Sequence, residues 1–131
     1  MLDSIESQIF SLVKAKFPER VKKKYPDLNF TTSDKSATKP KFPTVYIHLM
    51  EPQETGETLD GMYVNAVIAT FQIDVSDNQN QARADEVARE ILKVMKSMRF
   101  SAKPLPFHNN VGDVYRTTAR YRRVIGAGDI I

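Results

Sequence analysis

Apolar side chains near the start of the chain fall at Leu2, Ile5, Ile9, Leu12 and Val13, the spacing of one helix face. Asp3, with Glu6 three residues on, predicts the helix start as a variant capping box. Pro18 predicts its end. Residues 19–26, with Lys22, Lys23 and Lys24, read as a solvated turn. Residues 27–31 are a candidate short strand. Residues 32–43 are polar and proline-bearing and predict an exposed loop. In residues 44–51 the pattern changes to strict alternation. Val45, Ile47 and Leu49 take one face, and Thr44, Tyr46, His48 and Met50 the other.

Residues 52–61 predict an acidic loop closed by Asp60-Gly61. A long strand follows over 62–75, with Val67, Ala69, Phe71, Ile73 and Val75 on its core face and Ile68, Thr70, Gln72 and Asp74 opposite. Asp77 or Asn78 is the expected cap of a second helix. That helix carries an apolar stripe of Ala84, Val87, Ala88, Ile91, Leu92, Met95 and Met98. Residues 100–106 are a candidate strand placed at a sheet edge by Pro104 and Pro106. His108 to Gly112 reads as a turn, and a final strand runs from Val114 to Val124. It puts Arg116, Thr118, Arg120 and Arg122 on one face and Tyr115, Thr117, Ala119 and Tyr121 on the other. A loose tail is expected from about residue 126.

These elements predict a single α+β domain over residues 1–131. Its sheet is mostly antiparallel with four to five strands, and two amphipathic helices pack on one face. The other face then stays open. It carries Arg116, Arg120, Arg122, Tyr46, His48 and Gln72 if the strand registers agree.

Composition sharpens this picture in two places. The net charge is only +3, but it is unevenly spread. Residues 1–42 hold nine Lys/Arg and five Asp/Glu, and residues 99–131 hold six and two. Residues 43–75 hold no Lys or Arg and five acids, Glu51, Glu54, Glu57, Asp60 and Asp74. Opposite charges on one subunit suit head-to-tail self-association. The candidate contact residues are Arg116, Arg120 and Arg122, then Glu51, Glu54, Glu57 and Asp60, and Asp129 in the tail. With no cysteine in the chain, disulfides and thiolate metal sites are excluded. No apolar run approaches the ~20 residues of a membrane span, and the start lacks the order of a signal peptide. A soluble protein made in a cytoplasm is expected.

Catalytic signatures are not found. His48 and His108 lie far apart, with no metal-ligand spacing. The five glycines are scattered and form no phosphate loop. No Gly-x-Ser-x-Gly elbow occurs. No cofactor, no metal and no enzymatic activity are expected. For nucleic acid, Arg116, Arg120, Arg122 and Arg123 with Tyr115, Tyr121 and Phe107 offer the ingredients of a single-strand platform. The two tyrosines are expected on the face opposite the arginines, so stacking and charge do not coincide.

The layout resembles the tail terminator, or tail completion, proteins of long-tailed bacteriophages. The match rests on Pro43-Thr44-Val45-Tyr46-Ile47 after an amphipathic helix and on the long strand from Tyr63 to Asp74. It continues through Ala82, Ala84, Asp85, Val87, Lys93 and Met95, then Met98-Arg99-Phe100, and closes with Tyr115-Arg116 and Arg120-Tyr121. It covers nearly the whole chain and departs at Arg99, where a glycine ending the helix would be expected. The resemblance implies a hexameric ring on the end of the tail tube, within the virion. That ring would stop tube growth and offer a surface to the head connector. A head-closure protein of the phage neck is the near alternative, and a small RNA-binding domain the alternative of another class.

Overall fold

A computed structural model describes residues 2–32, 41–50, 53–54, 66–126 and 131. The described residues form three helices and one mixed sheet of seven strands. Helix α1 spans Leu2–Lys16 and α2 spans Glu19–Lys24. Strand β1 (Asn29–Thr31) runs parallel to β2 (Thr44–Leu49). The short β3 (Gln53–Glu54) and the long β4 (Ala66–Asp77) follow, then α3 (Gln81–Ser97). Strands β5 (Ser101–Ala102) and β6 (Phe107–His108) precede the long β7 (Tyr115–Gly126). The main order is β1-β2-β4-β7-β5, with β3 added to β4 and β6 added to β7. All pairings except β1 with β2 are antiparallel. The expected α+β architecture is present, and the five-stranded main path matches it. The added elements are α2, β3 and β6.

One hydrophobic core lies between sheet and helices. Ile5, Ile9 and Val13 of α1 meet Val87, Ile91 and Met95 of α3 over Val45, Ile47, Phe71, Ile73 and Tyr121 of the sheet, all buried. The alternation in β2, β4 and β7 supplies this surface with no reversal along any strand. Phe71 and Phe100 meet edge to face at 5.9 Å, as do Phe17 and Phe30 at 5.5 Å.

Several local expectations are corrected. Residues 19–24 form a helix, not a solvated turn, because Val21 and Tyr25 are buried beneath the lysine run. The polar side of α2 is held by α3. Arg20 Nη2 lies 2.7 Å from Glu90 Oε1 and Lys24 Nζ lies 3.0 Å from Glu86 Oε1. The Tyr25 hydroxyl also donates to Glu86, and the Arg83 guanidinium covers the Tyr25 ring at 4.9 Å. Asp3 lies inside α1, which already includes Leu2. Glu6 accepts the Leu49 N–H of β2 instead of closing a capping box.

At α3 the cap is Asn80, whose side chain accepts the Arg83 N–H at 2.9 Å. Asp77 is fully buried, takes the N–H groups of Gln79 and Asn80, and pairs with Arg83 at 3.1 Å. It therefore shapes the turn before the helix. Arg99 ends α3 at φ 68°, in the left-handed region that a helix-closing glycine usually fills. Residue 108 belongs to β6, where a turn was expected. Most of the two predicted loops, 32–43 and 52–61, and the tail residues 127–130 lie outside the described residues. Strand β7 continues to Gly126, and Ile131 packs on the core.

Candidate functional site

The sheet face turned away from the helices is a polar lattice fixed by register. Tyr46 of β2 pairs with Asp74 of β4, which pairs in turn with Thr118 of β7, and His48 pairs with Gln72, which pairs in turn with Arg120. Arg122 lies opposite Thr70, and Arg116 opposite Ser76. The registers thus bring Arg116, Arg120, Arg122, Tyr46, His48 and Gln72 onto one face. Phe107 of β6 joins it by pairing with Thr118. Arg120 and Arg122 are exposed, while Arg116 is half-buried.

Beneath the arginines runs a chain of hydrogen bonds. Arg120 Nε–H donates to Gln72 Oε1 at 3.1 Å, and Gln72 Nε2–H donates to Asp74 Oδ2 at 3.3 Å. The Thr118 hydroxyl donates to Asp74 Oδ1 at 2.5 Å and accepts from Asn109 Nδ2 at 3.3 Å. Arg116 Nε–H donates to the Asn109 carbonyl at 3.1 Å. Asp74 and Thr118 are buried although they lie on the open face. A carboxylate placed there needs donors, and it has two. The effect is to tie Arg120 and Arg116 into one network. Among the described residues, none of the three arginines forms an ion pair with a carboxylate. Tyr46 and His48 stack at 5.3 Å with an interplanar angle of 27°.

This arrangement suits recognition of carboxylates or phosphates, which arginine binds through several donors at once. Sequence reasoning placed the arginines but missed the buried Asp74–Thr118 pair and Asn109. An acid inside an alternating strand was the available signal. Its partner sits 44 residues away, so only the register reveals it. Tyr121 is core, and burial pushes its hydroxyl pKa up. Of the acidic candidates, Glu54 belongs to β3, while Glu51, Glu57, Asp60 and Asp129 lie outside the described residues.

A second polar cluster lies on the helix side. His108 Nε2 is 3.0 Å from Asp85 Oδ2, and Asp85 Oδ1 accepts from the Thr117 hydroxyl at 2.7 Å and from Gln81 at 3.3 Å. Burial disfavours the Asp85 anion, but the hydrogen bonds from Thr117, His108 and Gln81 outweigh it and hold the pKa below its ordinary value. The carboxylate sits in the middle and accepts from both sides, so it locks β6 and β7 to α3. Beside it is a cleft of about 220 Å³ lined by Asp85, Arg89, Pro106 and His108. Among the described residues, no group of three His, Asp or Glu side chains could hold a metal ion, and no helix is long and apolar enough to cross a membrane. No protein-family model matches the chain, and no curated protein matches it.

Proposed function

We propose that this chain is a phage tail terminator, a structural subunit that assembles as a ring on the end of the tail tube. The observation that carries the reading is the register that lines up Arg116, Arg120 and Arg122 on the sheet face left open by the helices. A hydrogen-bonded base beneath them favours a surface built for contact. The order of elements supports it, since the resemblance runs through the same strands and the same long helix. A tail tube is an open head-to-tail stack, so every added ring recreates the surface that recruits the next. A subunit that binds this end and presents a different surface outward stops growth and offers a platform to the head connector.

The test is removal of the gene. Filled heads should accumulate unattached, beside tails of excessive and variable length. Tails of normal length with only the joining step lost would reassign the protein to head closure.

A second reading, single-stranded nucleic acid binding, has one observation in its favour. Tyr46, His48 and Phe107 stand on the arginine face, so aromatic rings and charge do coincide there, through Phe107 of the expected platform rings and not through Tyr121. Tight binding of single strands with a steep loss of affinity in salt would support it.

A further inference from the structure

We infer that the rim of the sheet around Phe107 is a protein-docking surface, and that it fits a partner surface whose apolar side chains lie between carboxylates. This rests on the proposed function as a contact subunit and assigns the chemistry of the partner that the open face meets.

Among the described residues, five large apolar side chains are exposed, and four of them, Leu105, Phe107, Val111 and Tyr115, fall between positions 105 and 115. Apolar side chains gathered in one exposed patch mark contact sites. Backbone pairing sets two of them beside the arginines. The Lys103 N–H donates to the Arg120 carbonyl at 2.9 Å, Phe107 pairs with Thr118, and the Asn109 N–H donates to the Arg116 carbonyl at 2.7 Å. Along the outer side of β7 the row therefore runs Lys103, Leu105, Phe107. Arg116 and Arg120 stand two positions either side of Thr118, so each is a diagonal neighbour of Phe107 on one face. Phe107 is 43% exposed and Leu105 58%.

Charge around this patch is one-sided. Lys103, Arg116 and Arg120 form no ion pair among the described residues. Asp74, which the register places on the same face, is buried and taken by Thr118 and Gln72. Apolar anchors beside arginines have the composition of protein interfaces, where aromatic residues and Arg are enriched. Their complement is an apolar surface with carboxylates beside it, since arginine binds a carboxylate through two donors at once.

A second copy offers a poorer match. Most carboxylates among the described residues are already used. Asp77 and Glu90 are buried, Glu86 is held by Lys24 and Tyr25, and Asp85 by His108 and Thr117. Nucleic acid also fits less well. Bases stack on flat rings, whereas Leu105 and Val111 are aliphatic and the Tyr46 and His48 rings stack on each other.

The test is binding of the full chain to a labelled random copolymer of glutamate and tyrosine, an acidic and apolar polypeptide, read by fluorescence anisotropy at about 0.15 M salt. Polyglutamate and oligothymidylate are the comparators, and circular dichroism confirms that each variant is folded. The copolymer should bind about tenfold or more tighter than polyglutamate. Phe107→Ala and Arg120→Glu should each weaken copolymer binding by about tenfold or more. Lys23→Glu, the same charge change on an exposed position of α2, should leave it within about twofold. If Phe107→Ala does not fold, Leu105→Ser takes its place with the same expected loss. No binding of the copolymer, equal binding of polyglutamate, tighter binding of oligothymidylate, or folded variants that bind as the unaltered protein does would each overturn the inference. So would loss of self-association in folded Phe107→Ala, which would give the patch to a second copy. If the protein caps tail tubes and the variants cap them equally well, the contact assignment fails and the proposed function stands. If it binds the copolymer through Phe107 and Arg120 but never caps tubes, the proposed function fails and the docking surface stands.

Discussion

The buried hydroxyl of Thr118 gives the sharpest test of how the open face is held. Thr118→Val keeps the shape of the side chain and removes only the hydroxyl. Thr118 is 3% exposed and its partner Asp74 7%, so water has little access to repair the loss. The hydrogen bond is short, at 2.5 Å, and its acceptor is a carboxylate. Bonds to charged groups contribute about 1.5–3 kcal/mol. Asp74 keeps its second donor, Gln72 at 3.3 Å, and the new methyl group recovers part of the loss through apolar burial. The expected net cost is about 2 kcal/mol. For a chain of 131 residues this corresponds to a fall in Tm of about 7 °C. Urea unfolding followed by circular dichroism should show a lower midpoint with an unchanged m-value. A hydroxyl facing solvent would instead change stability by less than about 0.5 kcal/mol. A result that small would refute the buried network as the support of Arg116 and Arg120.

Three further outcomes follow from the fold. Phe71→Ala and Ile91→Ala, both in the core at under 2% exposure, should each cost about 2–5 kcal/mol in the same unfolding assay. The clasp between α2 and α3 should be acid-sensitive. Tyr25 and Lys24 hold the Glu86 carboxyl below its ordinary 4.5, and Arg20 and Lys93 do so for Glu90 against the opposing effect of burial. Native values below the unfolded ones mean the stabilisation is complete above about pH 4.5 and is lost as pH falls through the native values. Glu90→Gln should therefore lower stability by ~1 kcal/mol at pH 7, the scale of partly exposed pairs, and change little at acid pH where both forms are neutral. A penalty that persists in acid would argue against the ion pair. Arg99→Val forces a β-branched residue into the left-handed conformation at φ 68° and should cost about 1–2 kcal/mol, whereas Arg99→Gly should be tolerated. Equal stability of the two would place the end of α3 elsewhere.

The elements whose evidence is local were readable from the chain. Alternation in residues 44–49, 69–75 and 117–122 fixed which side chains face the core, because strand geometry leaves no other choice. The stripe from Ala84 to Met98 likewise assigned the buried face of α3. The two-layer packing then followed, since both helices carry a single apolar stripe that needs cover.

What only the tertiary structure decided are the pairings between distant residues. Helix α2 looked like a solvated charge run because Glu86 and Glu90, which hold it, lie more than sixty residues on. Asp77 looked like a cap because its burial against Arg83 depends on where the β4–α3 turn sits, and Asn80 takes the cap instead. Thr118 looked like one more exposed residue on the arginine face, and it is buried because the β4–β7 register sets it beside Asp74. Periodicity reports which way a side chain points. The neighbour it meets is set by register and packing, and on the open face those neighbours hold two of the three arginines in place.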